Sequence, residues 1–185
     1  MTKIKLQNLA GMRDILPEDQ AYLKKIQKSI ENTTHYYSFQ RIDVPVLEYA
    51  EVFSKSAGAT SDVVEKEMYS FRTKGGDLVA LRSEFTPGIV RSYIEHGMYN
   101  LPQPVKLWTA GPCFRHDRPQ KGRYRQFLQA SLEVLGDKSP STDGQIIQMS
   151  YDILKDLGFK NLNIEVNSIG DSECRPYFKK ILTTY

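Results

Sequence analysis

An α+β fold, an antiparallel β-sheet with flanking helices, is predicted by three features of this 185-residue sequence. Runs rich in β-branched and aromatic residues come in pairs around turn residues. Stretches with apolar residues at helical spacing stand between the pairs. Neither G-x-x-x-x-G-K-[ST] nor G-x-G-x-x-G occurs, so the usual glycine-rich phosphate loops of parallel sheets are excluded. With 40% hydrophobic and 11% aromatic residues the chain can bury one sizeable core, and no repeat, low-complexity tract or linker divides it. One domain is the simplest count.

Taken in order, residues 17 to 37 open on Pro17, Glu18 and Asp19, which suit a first helical turn, and then carry Leu23, Ile26 and Ile30 at helical spacing. FQRIDVPVL, 39 to 47, predicts a strand in which Pro45 requires a sheet edge or an interface, because proline has no ladder donor. MYSFRTKGGDLVALR, 68 to 82, predicts a hairpin around Lys74-Gly75-Gly76-Asp77. Thr86 and Pro87 suit the N-cap and first position of a helix that carries Ile89, Val90, Tyr93 and Ile94 and that Gly97 can end. Strands at 104 to 116 and 124 to 135, joined by a basic loop, form a long antiparallel hairpin. A helix follows over 140 to 157, LNIEV at 162 to 166 alternates like a strand, and ECRPYFKKILTTY is helical in pattern.

Composition removes several function classes. A net charge of +3 is too mild for a general nucleic-acid binder, so the local cluster in FRHDRPQKGRYRQF says more than the total. Cys113 and Cys174 stand far apart with no zinc spacing, which predicts reduced thiols and no structural metal. No segment has the length of a membrane span and MTKIKLQNLAGMRD lacks the apolar run of a signal peptide, so a cytoplasmic location without a membrane is expected.

Strand alternation places Arg123, Arg125, Phe127, Gln129, Ser131 and Glu133 on one face, and Leu128, Ala130, Leu132 and Val134 on the other. Arg115 shares its parity with Cys113, Gly111 and Thr109, small neighbours that leave room for a ligand. Alternation leaves two readings open: a site for a zwitterion and a phosphate, or the wet face of an antiparallel sheet. Glu84 and Thr86 are similarly open between binding and serving the helix start. The loop is open between a surface turn and a polyphosphate grip, for which Gly122 permits close backbone approach and a flanking arginine pair supplies bidentate donors. His35, His96 and His116 have no arrangement suggesting nucleophilic catalysis.

FRHDRPQKGRYRQF followed by LQASLEVLG resembles motif 2 of class II aminoacyl-tRNA synthetases, in the form used by histidyl-tRNA synthetases. GMRDILP, LRSEFTPGIVRSYIEHG and NSIGDSECRPYF resemble the same family, and YYSFQRIDVPVLE resembles its motif 1, with Ser38 where Gly is commoner. The resemblance implies a class II catalytic fold and ATP-dependent activation of histidine to an adenylate, followed by transfer to tRNA(His). It also implies a homodimer through the Pro45 region, with Mg2+ carried by ATP.

Residue by residue, the resemblance implies that Arg115 touches both the α-phosphate and the amino-acid carboxylate and is the catalytic group. Glu84, Phe85, Thr86, Gln129 and Glu133 would join Arg115 in binding histidine. Asp117, Arg123 and Phe127 would join it in binding ATP, with Phe127 stacked on adenine and Asp117 standing where Glu is more usual. Leu128, where the family often has His, lies on the opposite face by alternation, so repacking is expected there.

The family's motif 3 and anticodon-binding domain are not recognisable within residues 1–185. The expectation is therefore the N-terminal portion of a catalytic domain, truncated, and inactive or very weak alone. Two rivals remain. One is the non-catalytic regulatory subunit of ATP phosphoribosyltransferase, which resembles these synthetases. The other is a plain RNA- or DNA-binding domain, disfavoured because the cations lie in one turn and Glu133 would repel a phosphate backbone.

Overall fold

Pro17 opens the first helix of the computed structural model, which describes residues 6–56, 67–118, 120–168 and 170–184. A 3-10 turn, Pro17–Asp19, leads into α1, Gln20–Tyr36, whose inner side buries Ser29, Ile30 and Thr34. α1 ends in a tight turn: Phe39 donates its N–H to Thr34 O at 2.8 Å while Ser38 takes the left-handed conformation, with φ of 61°. A position of that kind favours glycine, the residue that the family resemblance puts there.

The stretch expected as one strand over 39 to 47 is two. β1, Gln40–Arg41, pairs in parallel with β5, Val105–Phe114, and β2, Leu47–Tyr49, pairs antiparallel with β4, Leu78–Leu81. Pro45 lies between them in neither strand. With no N–H it cannot continue a ladder, and the chain crosses there from one sheet to the other. The parallel β1–β5 pair is also a departure from the all-antiparallel expectation.

Beyond β2 come α2, Ala50–Ser56, and the expected hairpin, β3, Ser70–Arg72, and β4, Leu78–Leu81. Gly76 takes φ of 94° in its turn, which requires glycine. α3, Thr86–Glu95, ends before Gly97 at φ of 62°. β5, Val105–Phe114, and β6, Gln126–Leu135, form the expected long antiparallel hairpin, and α4, Pro140–Asp156, is capped by Ser139.

The β5–β6 pair separates two apolar clusters. Trp108, Ala110, Leu132 and Val134 face α1 and α4, where Ile30, Phe39 and Met149 complete a core. Leu107 and Cys113, with Phe127 at the margin, face Val44, Phe85 and Ile89. The two sheets are tied at Arg82, whose N–H donates to Val46 O and whose carbonyl accepts from Phe114 N–H, both at 2.9 Å.

Residues 162–166 form no strand. Alternation describes two faces, but a strand also needs a neighbour for its backbone groups, and no ladder partner is found among the described residues. Ile164 and Val166 are accordingly 49% and 73% exposed. α5, Cys174–Thr184, is helical as its pattern predicts and buries none of its described residues.

Candidate functional site

Register explains the layout of the polar row. Across the hairpin Cys113 faces Phe127, Gly111 faces Gln129, Thr109 faces Ser131 and Leu107 faces Glu133, so these eight side chains share one face. The β5 half of that face is roofed. A methyl on Gly111 would meet Arg82 Nη2 at 3.0 Å and Phe85 Cζ at 3.5 Å, so the room expected beside the small β5 residues is filled by protein. The β6 half is half-exposed from Phe127 through Glu133 on this face. The β6 part of the row is therefore a half-exposed surface.

Thr86 joins the helix start to this row. The cap expected of it falls to Phe85, and Thr86 lies inside the first turn of α3 with its hydroxyl turned away. The hydroxyl donates to Glu133 Oε1 at 2.6 Å, and Ser131 Oγ donates to the same oxygen at 3.0 Å. A half-buried carboxylate accepting two hydroxyl bonds is fixed in direction, with its second oxygen left for another partner. Gln129 and Glu84 are half-exposed, and their side chains form no hydrogen bond among the described residues.

Arg115 begins just beyond β5. Its Nε donates to Ser83 O at 3.1 Å and its guanidinium lies 5.2 Å from the centre of the Phe127 ring, a cation–π arrangement that keeps the charge over the row. In the loop, Arg123 pairs with Asp117 at 3.0 Å, with Arg123 61% exposed and Asp117 27%. Asp117 also accepts the N–H of Arg118 at 2.6 Å. Gly122 takes φ of 81° in the turn, and a methyl there would meet nothing within 4 Å.

Not every predicted residue joins this group. Alternation stops where β6 starts at Gln126, and Arg125 belongs instead to the GMRD segment: its side chain donates to Asp117 O and Ala10 O and its N–H to Gly11 O. It is thus not half of an arginine pair facing a ligand. Phe85 is 1% exposed within the core beneath Arg82, so its side chain is closed to a ligand and only its backbone borders the row. Leu128 lies on the far face opposite Pro112, 52% exposed, as alternation requires.

Two features were missed in the sequence. Arg82, at the end of an apolar strand, is 6% exposed, with no signal in spacing to mark it. Cys113 is fully buried between Arg82 and Arg115. Burial pushes its thiol up to about 11 from 9.0; the two guanidinium groups oppose that rise and Glu84 adds to it. A groove of about 810 Å³, lined by Tyr49, Val52, Leu78, Pro87, Val90 and Ile94 among others, shares only Thr86 with the row.

The family model described as Histidyl-tRNA synthetase matches residues 11–170, spanning the helix start, both strands of the long hairpin and the basic loop. The chain belongs to the histidyl-tRNA synthetase family.

Among relatives in this family, a histidine–tRNA ligase of Desulforapulum autotrophicum is 43% identical over 180 residues, 97% of this chain and 42% of the relative. One of Aquifex aeolicus is also 43% identical, over 97% of this chain and 45% of its own length. The solved structure of apo histidyl-tRNA synthetase from S. aureus superposes with a TM-score of 0.80 at 33% identity, over 98% of this chain and 42% of that one. A Bacillus halodurans protein described as an ATP phosphoribosyltransferase regulatory subunit/histidyl-tRNA synthetase shares the fold at 24% identity and a TM-score of 0.74. The chain spans less than half the length of these histidyl-tRNA synthetase relatives, and its fold is that of their class II catalytic region.

Proposed function

We propose that this face is the histidine- and ATP-binding half of a histidine–tRNA ligase active site. The observation that carries the reading is the Thr86–Glu133 bond, which brings the start of α3 onto the same face as Gln129 while Arg115 is held over Phe127. Glu84, Glu133 and Thr86 receive the ammonium group of L-histidine, Gln129 contacts the substrate and Phe85 contributes backbone. Arg115 holds the carboxylate. In the ligase reaction a carboxylate oxygen bonds to the α-phosphorus as the bond to pyrophosphate breaks, and a hydroxyl of tRNA(His) then takes the histidyl group as its bond to phosphate breaks and AMP leaves. Arg115 lowers the barrier because its charge already stands where negative charge gathers.

Phe127 stacks on adenine, and the exposed Arg123 exchanges Asp117 for phosphate oxygens when ATP arrives with its Mg2+. Val46 and Leu47, beside Pro45, are 39% and 40% exposed, which supports a homodimer contact through that region. No helix among the described residues is long and apolar enough to cross a membrane. The reading places the protein in the cytoplasm, where tRNA is charged.

Calorimetric titration of the purified chain with histidine, with ATP·Mg2+ and with unlabelled RNA tests this reading. Both small ligands are expected to bind, and Arg115→Ala is expected to weaken each by about tenfold or more. Histidine-dependent pyrophosphate exchange by this chain alone is expected near background. Binding of neither ligand overturns the proposal. Histidine binding without ATP favours a regulatory subunit, and salt-steep RNA binding indifferent to ATP favours a nucleic-acid domain.

A further inference from the structure

Arg82 carries a charge into the interior with no carboxylate in direct contact, and Asp43 acts on it only from beyond ion-pair distance. At 6% exposure its guanidinium donates through Nη1 to Val44 O at 2.7 Å and Pro45 O at 3.4 Å, and through Nε to Pro112 O at 2.8 Å. It also lies 4.3 Å from the centre of the Phe85 ring. No acidic group stands within ion-pair distance of it among the described residues. Burying a charge against neutral carbonyls is costly, and an apolar residue of the same volume often serves stability as well or better. What such a residue lacks is the planar fork that holds three carbonyls from two separate segments in one geometry.

Those segments bear directly on the polar row. The Arg82 side chain joins the Val44–Pro45 crossing to the end of β5, and its backbone bonds to Val46 and Phe114 join the same two segments again. Ser83, the next residue, gives its carbonyl to Arg115 Nε, and Glu84 and Thr86 come immediately after. One buried fork therefore locates the carbonyl that aims Arg115 and the chain that carries Glu84 and Thr86.

We propose that Arg82 is a positioning residue, which touches no substrate but sets Arg115 at a fixed place relative to Glu84 and Thr86 so that both ends of one zwitterionic amino acid are met together. The inference rests on the proposed function for its ligand. Its geometric core, the control of Arg115 by Arg82, is independent of any ligand.

The test uses ¹H–¹⁵N spectra of arginine side chains in the 185-residue chain. The Arg115 Nε–H signal, identified by its loss in Arg115→Lys, is expected to exchange slowly with water because Ser83 O accepts it. Arg82→Lys keeps the charge but not the fork. It is expected to speed that exchange about tenfold while the Trp108 indole signal, on the opposite face, stays in place. Should Arg82→Lys fail to fold, Gly111→Ala serves, since its methyl would press Arg82 Nη2 from 3.0 Å without removing the charge. An acceleration of about threefold is expected there. Unchanged Arg115 exchange in a folded variant overturns the proposal. Histidine titration of the same samples separates the two claims. A parent chain that binds neither histidine nor ATP overturns the proposed function and leaves the exchange result standing. A folded Arg82→Lys chain with Arg115 displaced and histidine affinity unchanged overturns the positioning role.

Discussion

Thr86 illustrates how one side chain can be misassigned from local pattern. A threonine before proline at a helix start has the signature of a cap, yet its hydroxyl reaches 47 residues along the chain to Glu133 at 2.6 Å. Thr86→Val keeps the shape and removes that donor, leaving Glu133 with Ser131 alone. A stability loss of about 1 to 2 kcal/mol is expected by urea denaturation, together with weaker histidine binding. A Thr86→Ser variant should recover most of both.

Cys113 carries a pH dependence at the same scale. Its folded-state thiol stays protonated to about pH 11, whereas in the unfolded chain it ionises from 9.0. Between those values the unfolded state binds fewer protons, so stability falls as pH rises through that window and is untouched below it. Relative to Cys113→Ala, which lacks the group, the native chain should lose about 2 to 3 kcal/mol more by the top of the window. Urea midpoints of both chains at stepped alkaline pH check this. At neutral pH a maleimide should label the exposed Cys174 rapidly and the buried Cys113 only on unfolding.

Among the elements, the end of α1 holds the clearest unoptimised position. Ser38 adopts φ of 61° to let the chain turn from the helix into β1. Ser38→Gly removes the clash of Cβ with the backbone in that conformation and should raise stability by about 0.5 to 1 kcal/mol, read as a higher urea midpoint with an unchanged slope. At the other end of the sheet Ser139 caps α4 by accepting the N–H of Ser141 at 3.3 Å, and Ser139→Ala should cost about 1 kcal/mol without altering ligand binding. Besides the strand expected over 39–47, pattern alone misjudged 162–166. Period-two alternation is a property of side chains, while strand formation depends on whether another strand's backbone is alongside.

For the molecule as a whole, protection should follow burial. β5 and β6 lie between two apolar clusters containing Trp108, Met149, Phe85 and Ile89, whereas α5 buries none of its described residues and presents Tyr177, Phe178, Ile181 and Leu182 to solvent. Native-state hydrogen exchange is expected to show amides of 105–114 opening only with global unfolding and those of 174–184 exchanging by local fraying, orders of magnitude faster. Comparable protection in the two segments would contradict this division of the fold. Trp108→Ala, by opening a cavity beside Met149, should cost about 3 to 5 kcal/mol and abolish the cooperative transition.

The sequence by itself determined α1, the β3–β4 and β5–β6 hairpins, the helices after them, and the shared face of Phe127, Gln129, Ser131 and Glu133, because helical and strand periodicity are local properties of the chain. Its motifs also marked the family. Only the tertiary structure decided that Pro45 separates two sheets, that Arg125 serves the N-terminal segment, that Phe85 is sealed in the core and that Thr86 faces Glu133. Each of these depends on which segments lie beside each other across long stretches of chain, and neither spacing nor composition carries that distance. Arg82 shows the limit most plainly: in the sequence it is one of 25 Lys and Arg residues, and in the fold it is a buried fork between two segments more than 60 residues apart.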